Sequence, residues 1–174
     1  MLLRRIKQVF EDYSKYVVKQ SRTNLSKQNK NVNKKLYNSI VGKVKVRQDT
    51  IKLIFEMEEY GIYQDKGVRG SKGHYADKAT AESPFVYRTK MPPIDVIGDW
   101  AKKKNIRLRD AKGKYAKGNY KTIGFLFARS IKEKGIRASL FFTKPLNARM
   151  DYFLSELAKA VGDDFEMDLQ NEKG

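Results

Sequence analysis

His74 is the single histidine of the sequence, and Asp77 follows it by three residues. A histidine held by an aspartate is a general base for a hydroxyl nucleophile or a water. No nucleophile-elbow pattern accompanies the pair, and the Gly, Lys and Tyr residues around it read as a loop. A solvent-facing histidine is therefore the expected state. The chain has no cysteine, which excludes thiol nucleophiles, disulfides and Cys-containing zinc sites and fits a reducing compartment. One histidine also excludes multi-His metal centres.

Two further groupings have the right residue types for chemistry. Glu56, Glu58, Glu59 and Asp65 are carboxylates of the kind that hold Mg²⁺ in a nuclease, and Glu56 and Glu58 would share one side of a strand. A solvated strand end that balances nearby lysines is the plainer account. Gly67-Val68-Arg69-Gly70-Ser71-Lys72-Gly73 resembles a loop that cradles phosphate with backbone N–H groups. It lacks the Gly-Lys-Ser/Thr triplet and a preceding apolar strand, so turn glycines explain it better.

The basic stretch 102–118 is the strongest candidate for nucleic acid. Lys102, Lys103, Lys104, Arg107, Arg109, Lys112, Lys114 and Lys117 interleave with Tyr115, and Tyr120 follows. Cations neutralise phosphates and aromatics stack on bases. Contact with an acidic protein surface, or plain solvation, is the competing account. With Arg69 and Lys72, these residues form the expected partner or DNA contact set. No catalytic residue, metal or cofactor is expected.

The charge is unevenly placed. The 174 residues carry 37 Lys and Arg against 20 Asp and Glu, a net +17. Residues 1–50 contribute +10 and residues 101–150 contribute +13, whereas 51–100 hold −1 and 151–174 hold −5. Such a field favours nucleic acid, anionic surfaces or acidic proteins. A hydrophobic content of 40% excludes a wholly disordered polybasic chain. The longest uncharged apolar run, Ile123 to Ala128, is far short of the ~20 residues of a spanning helix. No apolar signal region follows Met1-Leu2-Leu3, so a soluble protein made in the cytoplasm, without membrane contact, is expected.

Periodicity supplies the elements that position these residues. Leu3, Ile6, Phe10, Tyr13 and Val17 recur at helical spacing. An N-terminal helix docked on a core is expected in preference to a membrane-surface helix. Leu25, Val32, Leu36 and Ile40 predict a second helix or a bent continuation, capped by Gly42. Val44 and Val46, then Ile51, Leu53, Phe55 and Met57, alternate as a hairpin around Gln48-Asp49. Pro92-Pro93 starts a helix with Ile94, Ile97, Trp100 and Ala101 inward. Another helix over 122–134 places Ile123, Phe127 and Ile131 on one side and stops at Gly135. Residues 139–143 read as extended. Pro145 opens a last helix carrying Leu146, Met150, Phe153, Leu157 and Val161. The expected class is α+β: a single domain over 1–162, with N-terminal helices, a hairpin-based antiparallel sheet, packed helices, and long loops at about 61–91 and 102–118. Residues 163–174 are expected as an acidic, loosely held tail.

Several of these pieces resemble a known family. Glu59-Tyr60-Gly61-Ile62-Tyr63-Gln64-Asp65-Lys66-Gly67 resembles the aromatic and glycine turn after the hairpin in head–tail joining and tail-completion proteins of tailed bacteriophages. Met91-Pro92-Pro93-Ile94 with Trp100 and Lys103-Lys104-Asn105-Ile106 is similar to that family's proline-started helix and its exit. Phe125-Leu126-Phe127-Ala128-Arg129-Ser130-Ile131 to Lys134-Gly135-Ile136 looks like its Ala-Arg helix and cap, and Phe141-Phe142 like its aromatic close. The order of the pieces matches over most of residues 3–161. Stretch 68–91 looks like an insertion, and Leu140 stands where a proline often precedes the aromatic pair.

The resemblance implies a non-enzymatic structural protein of the virion, forming part of a ring at the neck or upper tail. It implies portal or connector and tail proteins as partners, with non-specific contact to DNA in the channel. The alternative is a basic nucleic-acid-binding protein that acts independently of a virion. An acidic C-terminal end meeting a basic body would suit head-to-tail contacts between copies.

Overall fold

The apolar stripe that opens the chain becomes a 24-residue helix, α1 (Arg4–Lys27), in the computed structural model, which describes residues 4–30, 33–47, 50–116 and 118–171. There follow α2 (Lys35–Ser39), β1 (Val41–Arg47), β2 (Thr50–Glu56), α3 (Tyr60–Lys66), β3 (Val68–Arg69), α4 (Lys78–Ala81), α5 (Ile94–Lys103), α6 (Tyr120–Lys134), β4 (Gly135–Ile136), α7 (Thr143–Ala148) and α8 (Met150–Asn171). The expected α+β class is what the chain adopts: packed helices with two separate antiparallel strand pairs. No helix among the described residues is long and apolar enough to cross a membrane. The chain divides into two compact units, one made of residues 1–59 with 141–174 and the other of residues 60–140.

In the first unit α1 runs past the expected end. Tyr13, Val17 and Leu25 lie on its buried face, while Leu3 and Val32 lie outside the described residues. Asn29 stops the helix in a left-handed conformation, and the Lys30 N–H reaches back to the Leu25 carbonyl at 3.0 Å. The predicted second helix shrinks to five residues around Leu36. Leu25, Leu36, Ile40 and Phe141 form one core cluster. Tyr13, Val17 and Phe153 form another, with the Tyr13 and Phe153 rings stacked at 4.4 Å and Phe10 edge-on to Phe153 at 5.1 Å. Burial drives this packing, and Tyr13 adds direction: its hydroxyl donates to the Leu146 carbonyl at 2.6 Å.

The hairpin has the expected faces. Val44 pairs with Leu53 and Val46 with Ile51, and Leu53 and Phe55 pack into the Phe153 cluster. The predicted Gln48-Asp49 turn lies outside the described residues. Gly42 corrects the expected helix cap. It sits in β1 opposite Phe55, where the strand passes Ser14 of α1 too closely for a side chain.

The last helix also differs from expectation. Pro145 is the third residue of α7, and the chain turns at Arg149 before α8 begins. Ala160, not Val161, is buried midway along it. Gly162 does not stop α8, which continues to Asn171 through most of the expected loose tail, and residues 172–174 lie outside the described residues.

In the second unit the predicted loop at 61–91 contains structure. Residues 60–66 of the aromatic turn are helix α3, Gly67 turns the chain at φ +72°, and β3 pairs with β4. Buried polar groups replace apolar periodicity here, which is why the sequence did not reveal it. Thr80 Oγ1 accepts from the Ala138 N–H at 2.8 Å, and Ser83 Oγ donates to the Gly67 carbonyl at 2.7 Å. No strand forms over residues 139–143; the strand is Gly135–Ile136, after Gly135 ends α6 as expected. Leu140 adopts φ +51° and donates its N–H to the Asp65 carbonyl at 3.0 Å. Proline can do neither, which accounts for leucine at this position.

Helices α5 and α6 pack through small residues. A Cβ on Gly98 would stand 2.8 Å from the Tyr120 carbonyl oxygen, and one on Gly124 would overlap the Ile94 carbonyl. Ala101 and Ala128 are fully buried beside them. Backbones this close leave no room for a ring between them. Trp100 and Phe127, both expected inward, are accordingly displaced to the flank, 37% and 36% exposed.

Candidate functional site

The connection from α5 to α6 takes its shape from a few local residues. Asn105 takes φ +51°, and the Ile106 N–H closes the helix end on the Ala101 carbonyl at 2.9 Å. Lys102, Lys103 and Lys104 are exposed at this C-terminal end, where the helix dipole favours cations. Arg109 and Tyr115 then form an antiparallel bridge around a tight turn. Asp110 Oδ1 accepts from the Lys112 and Lys114 N–H groups, 2.9 Å each, and Gly113 supplies φ +78°. The one carboxylate of the segment is thus spent on its own backbone.

Two guanidinium groups rest on one ring. Arg109 Cζ is 4.7 Å and Arg107 Cζ 5.6 Å from the Tyr115 centroid. Arg109 Nη1 also donates to the Gly113 carbonyl at 2.9 Å. Tyr115 is 65% exposed. Among the described residues, no salt bridge engages Lys102, Lys103, Lys104, Arg107, Arg109, Lys112 or Lys114. Lys117 lies outside the described residues.

Arg69 and Lys72 are not brought to this loop. Arg69 belongs to β3, and its backbone bonds Phe85 and Tyr87. Lys72 Nζ donates to Glu133 Oε1 at 3.0 Å, and Arg129 Nε approaches the same oxygen at 3.3 Å. Those hydrogen bonds, Lys72 first, hold the Glu133 carboxyl below its ordinary pKa. Glu133 is at the far end of α6, about 20 Å along the helix from the basic loop at 1.5 Å per residue.

Most described residues with carboxylate or imidazole side chains outside this loop have partners within the fold. His74 Nδ1 lies 2.9 Å from the Tyr75 carbonyl oxygen. Asp77 caps α4 by accepting from the Thr80 N–H and hydroxyl at 2.9 and 2.8 Å, and faces Arg137 at 3.3 Å. Burial pushes the Asp77 pKa up, but the Thr80 hydrogen bonds and Arg137 together outweigh it and leave the pKa lowered. Glu56 pairs with Lys43 and Glu58 with Lys35, and Asp65 is buried. Among the described residues no three His, Asp or Glu side chains converge on a metal-sized site.

A second surface was not foreseen. Val96, 63% exposed, is one turn from Trp100 on the outer side of α5, and Trp100 meets Phe127 of α6 edge-on at 5.8 Å. The signal for it was present in the glycines: once Gly98 and Gly124 mark the contact, positions 96 and 100 must lie off that face.

Comparison of the chain with protein-family models, with curated proteins and with solved structures finds no match.

Proposed function

We propose that this chain is a non-enzymatic structural protein of a tailed-bacteriophage virion, one subunit of a homo-oligomeric ring at the head–tail junction. In that place it would meet portal or connector proteins on one side and tail proteins on the other. The observation that carries the reading is the uncovered apolar strip of Val96, Trp100 and Phe127. Its rings pack on one another at the surface of a strongly basic unit, and a second copy of the chain that buries them would remove that apolar area from water. The ordered motifs that resemble joining proteins support the same assignment. The proposed head-to-tail role of the acidic end is narrower than its composition suggests, since Asp163 already bonds Arg5 of the same chain. Negative-stain microscopy of the purified protein, with a search for the chain in purified virions, tests the reading. Ring particles and virion incorporation are expected; a monomer absent from virions would contradict it.

The alternative reading, a nucleic-acid-binding protein that works outside any virion, is favoured by the described cations of loop 102–118, which form no salt bridge among the described residues. It predicts DNA binding by a chain that does not assemble.

A further inference from the structure

We infer that Arg107 and Arg109, held on the Tyr115 ring, form a sequence-independent clamp for the phosphodiester backbone of double-stranded DNA. The inference deepens the nucleic-acid reading of this loop but does not require that the chain work alone, since a ring subunit could carry the same clamp.

Three observations carry it. The unit of residues 60–140 holds 19 of the 37 basic residues and only 7 of the 20 acidic ones, so most of the net charge sits there. The salt bridges among the described residues of that unit join Lys72 and Arg129 to Glu133, Lys78 to Glu82, and Arg137 to Asp77. None of them engages a described cation of loop 102–118, and the carboxylate of that loop, Asp110, is turned onto the backbone. The unanswered charge is also ordered. Two planar forks are placed by one ring, and Arg109 is fixed further by its bond to Gly113. Arg109 spends one Nη1 donor on Gly113 and one Nη2 donor on the Tyr115 hydroxyl at 3.4 Å, which leaves its other N–H groups and those of Arg107 for a phosphate, and ordering them beforehand lowers the entropic cost of contact.

The same geometry sets the mode of binding. The Tyr115 ring, which the sequence offered as a base-stacking platform, serves as a support for arginines. Bases inside a duplex are already stacked and need no platform, so backbone contact favours duplex over single strand and gives no base preference.

The test is fluorescence anisotropy of the full chain with two labelled duplexes of unrelated sequence and the matching single strands, across a range of salt. Equal affinity for both duplexes, above that for the single strands, is expected. Arg107→Ala with Arg109→Ala should weaken duplex binding about tenfold at 0.1 M salt and reduce the slope of log K against log salt by about 2. Tyr115→Leu leaves every charge in place and should still weaken binding about threefold, as should the double lysine variant, Arg107→Lys with Arg109→Lys. These positions are exposed, so unchanged circular dichroism and melting establish that each variant is folded. Wild-type affinity in Tyr115→Leu and in the double lysine variant would reduce the loop to diffuse charge and overturn the clamp. So would absence of duplex binding, or displacement of the duplex by polyglutamate at matched charge, which would point to an acidic protein partner. None of these outcomes depends on whether the chain forms rings.

Discussion

Gly42 of β1 and Ser14 of α1 meet where strand and helix touch, and a Cβ on the glycine would overlap the serine Oγ while standing 3.3 Å from the serine Cβ. The contact lets the hairpin lie flat enough on α1 for Leu53 and Phe55 to reach the Phe153 cluster. Gly42→Ala should therefore destabilise the protein by about 1–3 kcal/mol, the usual cost of overpacking. Removing the serine hydroxyl leaves Phe55 Cε1 at 3.2 Å and the serine Cβ at 3.3 Å, contacts that a shift of a few tenths of an ångström relieves. Gly42→Ala combined with Ser14→Ala should recover most of the loss, and a double-mutant cycle by urea unfolding measures it. Simple additivity would place the strain elsewhere.

The Asp77 cap and the Lys72–Glu133–Arg129 cluster give the unit of residues 60–140 a dependence on acid. Both carboxyl pKa values are lowered in the fold, so the stability they contribute is fully present above their unfolded values, near 3.8 for Asp and 4.5 for Glu. It is lost as pH falls through the folded values. Melting followed from pH 7 to pH 3 should show the decline beginning below about pH 4.5, and Asp77→Asn with Glu133→Gln should flatten it. An unchanged acid profile in that variant would assign the decline to other carboxylates.

At Leu140 the backbone excludes the proline that the resemblance offers. Leu140→Pro removes the N–H bonded to Asp65 and forces φ from +51° to about −65°. A loss of about 3 kcal/mol or more is expected, read as a lowered melting temperature or failure to fold. Wild-type stability in this variant would mean that the turn rearranges freely.

The sequence spoke most clearly where one apolar period met one core. The stripe of α1 and the alternation of the hairpin follow directly from burial of Tyr13, Val17, Leu53 and Phe55. It misled where small residues set the contact. Trp100 and Phe127 look like core by hydrophobicity, yet Gly98 and Gly124 bring their helices too close to admit them, and a hydrophobicity pattern gives glycine no weight. It was silent on residues 60–91, because β3 and α4 are held by hydrogen bonds of Thr80 and Ser83 with distant backbone and by the Asp77 cap of α4. For the basic loop, composition revealed the charge. Only the fold revealed that Tyr115 supports arginines and that Arg69 and Lys72 belong to the opposite end of α6.

Whether another copy of the chain covers the Val96–Trp100–Phe127 strip is decided by sedimentation velocity. Wild type and Trp100→Lys should be compared over a hundredfold range of concentration at moderate salt. The lysine would stand in the strip without disturbing the Gly98–Gly124 contact. A large closed oligomer is expected for the wild type and a folded monomer for the variant. A wild type that stays monomeric throughout, or a variant that assembles as the wild type does, would contradict it.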